Sequence, residues 1–182
     1  LVLAVFLCAC VVEAGDTRDL EKIIELETGQ IIRIDMPVAE LRVEATERSD
    51  IGIELTVRCR WHLNDCDDAL DDLEILSRSS SRRLTLELTG FRRWQSSLVA
   101  VEGTVEIPRS SALEIKMGVA DLEIRGVERD LRVDIGVGEL DLRRPEAKLG
   151  EAFIDVGIGK VQFFGGDKRQ DDRRSFLVGN EL

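Results

Sequence analysis

The chain has 182 residues, enough for one domain with a sizeable core, and 43% of them are hydrophobic. Its net charge of −11 argues against nucleic acid or anionic membrane partners, whose phosphates it would repel. Aromatic residues make up only 4% and Tyr is absent, which argues against a broad aromatic recognition face. Solubility accounts for the acidity; recognition of a cationic partner is the competing explanation.

Residues 1–14, LVLAVFLCACVVEA, are apolar through Val12. Twelve apolar residues are too few to span a bilayer but suit the core of an export signal. Two processing routes fit. Leu7-Cys8-Ala9-Cys10 has the pattern of a lipoprotein signal, which makes Cys10 the lipidation candidate. Val12-Glu13-Ala14 before Gly15 has the pattern of an ordinary signal-peptidase site. Either route leads to an exported protein, lipid-anchored in the cell envelope or free in the periplasm or medium. Residues 15–182 then form a single β-repeat domain.

Asp16 to Glu27 is a polar lead into a first strand over 25–36. Ile51 to Trp61 alternates apolar and polar residues with period 2, as a half-buried strand does. Cys59 and Cys66 flank a short loop. In an oxidising compartment a disulfide between them is expected. His62, the lone histidine, lies within that loop, too little for a zinc site.

Residues 64–77, NDCDDALDDLEILS, carry the one helical signal. Asn64 or Asp65 is placed to cap it, and Cys66, Ala69, Leu70, Leu73 and Leu76 share a face. The acidic run suits a helix N-terminus. It lacks the glycine and spacing of a calcium loop. Leu84, Leu86 and Leu88 predict another strand. Phe91, Arg92, Arg93 and Trp94 then fall together in a loop, the chain's candidate contact patch. Their alternative role is to cover the end of the core. Leu98 to Ile107 is a further strand.

Near-copies of one pattern follow: IDMPVAELRV from Ile34, IKMGVADLEI from Ile115, VDIGVGELDL from Val133 and IDVGIGKVQF from Ile154. With their leading residues the copies span 31–43, 113–124, 131–142 and 152–163. Each alternates, slips by one residue at a Gly, Ala or Pro, and resumes. Leu131, Val133, Ile135 and Val137 are expected on one face, with Leu140 and Leu142 carrying on after the slip. Such a slip needs a bend or bulge. The last three copies start 18 and 21 residues apart. A fixed short period of strand–corner–strand units predicts a mainly β fold, a β-solenoid or stacked β-roll with one short helix inserted. An antiparallel β-sandwich is the alternative.

The passages DDALDDLEILSRSSSRRLTLEL (67–88) and VEGTVEIPRSSALEIKMG (101–118), with the Gly-marked repeats to Phe163, resemble the bacterial putative-adhesin family of β-solenoid domains of unknown function. The corners depart from that family's frequent GDV or GDL, reading GVADL, GVGEL and GIGKV. The resemblance implies a cell-envelope location and a non-enzymatic binding or scaffold role, with an unidentified envelope protein or surface ligand as partner.

No G-x-S-x-G, P-loop or H-E-x-x-H motif is present. A solenoid groove can host a pair of sugar-cleaving carboxylates. Here residues such as Glu123, Asp134 and Asp141 alternate on outer strand faces, where solvation explains them. The expectation is no enzyme and no cofactor, and membrane contact only through a lipid on Cys10. Self-assembly through open sheet ends is the second expectation.

Overall fold

A computed structural model describes residues 17–60, 66, 70–90, 99–143 and 150–165, and the backbone of 168–172 and 176–178. It contains eleven strands: β1 (Thr17–Glu25), β2 (Ile31–Thr46), β3 (Asp50–Cys59), β4 (Glu74–Ser79), β5 (Arg83–Thr89), β6 (Val99–Pro108), β7 (Leu113–Arg125), β8 (Leu131–Arg143), β9 (Ala152–Gly165), β10 (Lys168–Asp172) and β11 (Phe176–Val178). The repeat copies are β2, β7, β8 and β9. They pair in parallel and in register, β2 to β7, β7 to β8 and β8 to β9. The flanking pairs β1–β3, β3–β6, β4–β5, β9–β10 and β9–β11 are antiparallel. The protein is therefore mainly β, built on a mixed sheet.

The predicted slip is real, and its place is sharp. Pro37, Gly118, Gly136 and Gly157 are skipped in the ladders, while the residues on either side pair. The buried set changes parity there. Met117 and Ala120 are buried on either side of the β7 corner, and Ile115 and Leu122 continue the two series. Proline has no N–H to contribute to a ladder, and Pro37 sits at the position of β2 that the ladder to β7 skips. Gly136 is under a different demand. A Cβ there would lie 2.7 Å from the Gly118 carbonyl oxygen of the preceding strand.

The corner also divides the sheet. Before it, Ile31–Asp35 of β2 pair in parallel with β5. After it, Glu40–Thr46 pair in parallel with β6. β5 and β4 extend one half; β6, β3 and β1 extend the other. Both halves turn their buried sides into one apolar core. Ile32, Ile34, Leu113, Ile115, Leu131 and Val133 enter from the first half, and Leu41, Val43, Leu122, Ile124, Leu140 and Leu142 from the second. Each such side chain is worth about 1.5–3 kcal/mol when fully buried.

Three expectations need correction. The segment 64–77 is not a continuous helix. Cys66, Leu70 and Asp71 are helical, but Glu74–Ser79 form β4, and no helix stands among the described elements. Residues 73–75 read equally well with period 2, with Leu73 and Ile75 both buried, and the ladder to β5 decides between the two periods. The first strand is not 25–36. β1 ends at Glu25, and a turn through Gly29 (φ 87°) leads into β2. Val137 is not on the core face: it is 44% exposed, because the ladder skips at Gly136 and alternation restarts one residue earlier than expected.

Where the halves part beyond β2, side chains join them. Arg18 of β1 donates to the Leu70 carbonyl, and Lys22 Nζ donates to the Ile75 carbonyl at 2.6 Å. Buried Gln30 donates from Nε2 to Ser79 Oγ (2.9 Å) and to the Ser80 carbonyl (2.6 Å), and accepts from the Glu27 N–H (3.1 Å). A disulfide links Cys59 at the end of β3 to buried Cys66, with Cα atoms 6.1 Å apart.

Candidate binding surface

In-register stacking turns one position of the repeat into a column along the molecule. The residue just after the skipped corner points outward in each strand. Val38, Val119, Val137 and Ile158 pair in succession at this position. Val119 is 48% exposed, Val137 44% and Ile158 70%; Val38 is half-buried. Adjacent strands lie about 4.8 Å apart, so these β-branched side chains form a continuous apolar ridge. Single exposed apolar residues are common, but a contiguous row is not.

The residue behind the ridge must be small. Ala39 and Ala120 fill it in β2 and β7, and glycine in β8 and β9. Gly138 and Gly159 have φ of 148° and 150°. A Cβ at Gly138 would overlap the Ala120 carbonyl oxygen, and one at Gly159 the Gly138 carbonyl oxygen. Only glycine combines that backbone with that approach.

Charged residues border the ridge. On one side stand Asp35, Lys116, Asp134 and Asp155, in register; on the other stand Glu40, Asp121, Glu139 and Lys160. A groove of about 470 Å³ runs beside the second row, with Glu40, Asp121 and Glu139 on one wall and Ala100, Glu102 and Arg60 on the other.

Two residues further along the strands, the electrostatics change. Glu123 lies between three guanidiniums: Arg42 Nε at 2.9 Å, Arg125 Nη2 at 2.7 Å and Arg143 Nε at 3.3 Å. Partial burial pushes its carboxyl up, but hydrogen bonds from Arg125 and Arg42, with the charges of Arg125 and Arg143, outweigh this and hold it below the usual glutamate value. Arg125 also reaches Glu44 at 3.6 Å, and Arg58 pairs with Glu102. On the far edge, Arg48 is held above its usual value by hydrogen bonds from its guanidinium to Asp50 and Glu106. The first half carries a similar set, in which Glu114 lies 3.3 Å from Arg83 and 3.9 Å from Arg33. Arg132 stacks over the Phe153 ring, 5.0 Å from its centroid.

Of the residues singled out from sequence, Cys59 and Cys66 are brought together as a disulfide. Cys10, His62, Phe91, Arg92, Arg93 and Trp94 lie outside the described residues. Asp71 and Asp72 are exposed, and among the described residues no group of three or more His, Cys, Asp or Glu is arranged to hold a metal ion. Sequence reasoning missed the ridge because it placed Val137 in the core. The sign available was the recurrence of Val or Ile between small residues in every copy.

No family model and no curated protein matches the chain. Among solved structures it is similar to a putative cell adhesion protein from Clostridium sporogenes, at 16% identity and a TM-score of 0.49, over 79% of this chain and 68% of that one. It is also similar to a putative adhesin from Parabacteroides merdae, at 17% identity and a TM-score of 0.32, over 81% of this chain but only 59% of that one. A putative lipid binding protein from Parabacteroides distasonis matches at 11% identity and a TM-score of 0.33, over 83% of this chain and 72% of that one. Likenesses this distant carry no argument about what this chain binds or does.

Proposed function

We propose that the chain is an exported, non-catalytic binding or scaffold module of the bacterial cell envelope, adhesin-like in kind. Its four bent strands are read as turns of a short β-solenoid. The observation that carries the binding role is the in-register column of outward apolar side chains with charged borders. A stack of identical turns holds such a column rigidly, so little ordering entropy is lost when a partner docks. The Cys59–Cys66 bond suits an oxidising compartment, and the apolar run at 1–12 suits an export signal. The domain works without a cofactor or nucleic acid, and touches membrane only through a lipid on Cys10.

Crosslinking in the native host, followed by purification, tests this. A specific envelope partner enriched over an unrelated lipoprotein supports the module; no enrichment overturns it. The mass of the mature protein tests the compartment. A species starting at Cys10 with acyl chains, or one starting at Gly15, supports export, and retention of residues 1–14 opposes it.

Self-assembly is the second reading. Both flanks of the stack bear on it: the outer side of β9 is already paired by β10 and β11, and the edge strand β1 carries Arg18 and Lys22. Inward-pointing charges of this kind discourage edge-to-edge pairing. Sedimentation that stays monomeric at high concentration removes this reading.

A further inference from the structure

The groove along the corner ridge has a chemistry specific enough to name its occupant. We propose that it binds an extended, basic polypeptide segment of another protein, one that sets aliphatic side chains between lysines or arginines. The inference rests on the binding-module reading and assigns its partner class.

Neighbouring rows of carboxylates differ in whether this chain's own arginines hold them. Glu44, Glu102 and Glu123 are each held by an arginine of this chain. Glu40, Asp121 and Glu139, beside the ridge, make no ion pair or hydrogen bond within the described residues. The same holds for Asp134 and Asp155 across the ridge. In the two bordering rows only Asp35 is held by an arginine, Arg33, and the other five carboxylates face two lysines, Lys116 and Lys160. Among the described residues the groove's other wall adds Glu102, itself paired with Arg58, and one cation, Arg60. Negative potential is therefore concentrated where apolar surface is left uncovered.

Each rival occupant conflicts with that potential. A second copy of this chain would set one acidic border against another, a like-charge juxtaposition costing several kcal/mol. An anionic bilayer would bring phosphates to the same carboxylates. A ridge one side chain wide also offers too little area for insertion into lipid. A basic segment satisfies both features together: its lysines or arginines meet the free carboxylates, and its aliphatic side chains cover Val119, Val137 and Ile158. The ridge spans roughly 14 Å at strand spacing, the reach of four or five extended residues.

The test uses the full chain and a labelled synthetic peptide of alternating Lys and Val, with its Glu–Val counterpart, read by fluorescence anisotropy over a salt series. The Lys–Val peptide is expected to saturate and the Glu–Val peptide to show no binding. Combined Val119→Ser, Val137→Ser and Ile158→Ser should weaken the Lys–Val peptide at least tenfold. Combined Glu40→Gln, Asp121→Asn and Glu139→Gln should do the same and flatten the salt dependence. Glu27→Gln with Glu151→Gln, away from the ridge, should leave binding unchanged. All of these positions point to solvent, and a cooperative melt checks each variant. Ile158→Ser alone, at the most exposed position, serves if the triple variant does not fold, with a weakening of at least threefold expected. Binding that survives both ridge and border substitutions, or that falls equally in the Glu27/Glu151 control, overturns the proposal. So does displacement of the peptide by self-association in sedimentation. If the envelope partner is still captured by the Ser triple variant, the groove assignment fails while the binding module stands.

Discussion

The two margins of the core are closed in different ways. Along the corner, each strand passes from one half of the sheet to the other, so backbone and ladder hold the halves together. Where the halves part beyond β2, Arg18, Lys22 and Gln30 reach across to main-chain and hydroxyl oxygens, and Cys59–Cys66 adds one covalent link. The corner tolerates almost no added volume behind its ridge but leaves the ridge itself bare. The other margin depends on a few polar contacts that can be removed singly. Backbone closure makes a surface rigid and repetitive; side-chain closure makes stability adjustable.

The strongest way to break this comparison is at the corner. Gly138→Val forces a branched residue into φ 148° against the Ala120 carbonyl. Strain and overpacking together should cost about 2–6 kcal/mol, seen as loss of the cooperative transition in urea. Wild-type stability in this variant would mean that the corner is not closed by backbone. At the other margin, Cys59→Ser with Cys66→Ser frees a loop with a sequence separation of 7 residues. Loop-closure entropy puts that loss at about 2–3 kcal/mol, measurable as a lower Tm. An unchanged Tm would remove the disulfide from the closure.

Lys22→Met keeps the aliphatic stem and deletes the donor to the Ile75 carbonyl. The expected cost is about 1–2 kcal/mol, with faster amide exchange in β4 while β8 stays protected. Equal acceleration in β8 would show that the two margins do not act separately. Glu123→Gln should have the smallest effect, below about 1 kcal/mol at neutral pH, because its pairs are partly exposed. The folded-state value of Glu123 lies below its unfolded one, so its contribution is present above the ordinary glutamate range. It is lost as pH falls through the depressed value. The difference between wild type and Glu123→Gln should therefore close on acidification; a difference that widens would contradict the arginine cluster.

A period of strand, slip and strand was legible from side chains alone, since alternation and small residues recur at fixed offsets in every copy. The paired cysteines were legible from their spacing. What was not legible is informative. In sequence β1 is a polar lead, because its inner face mixes Leu20 and Ile24 with Arg18 and Lys22, and only the facing carbonyls explain those charges. The segment from Leu73 to Ser79 fits helix and strand patterns alike until β5 offers a ladder.

By itself, then, the sequence determined the β character, the repeat unit and the places where the chain must bend, because these follow from local periodicity and from residues without bulky side chains. Only the tertiary structure decided which side of the bend each apolar residue takes. That depends on the register between strands far apart in sequence: pairing Val119 with Val137 and Val137 with Ile158 while skipping the glycine beside each one. The same register gathers carboxylates from four strands beside one apolar column, an arrangement carried by no single stretch of the chain.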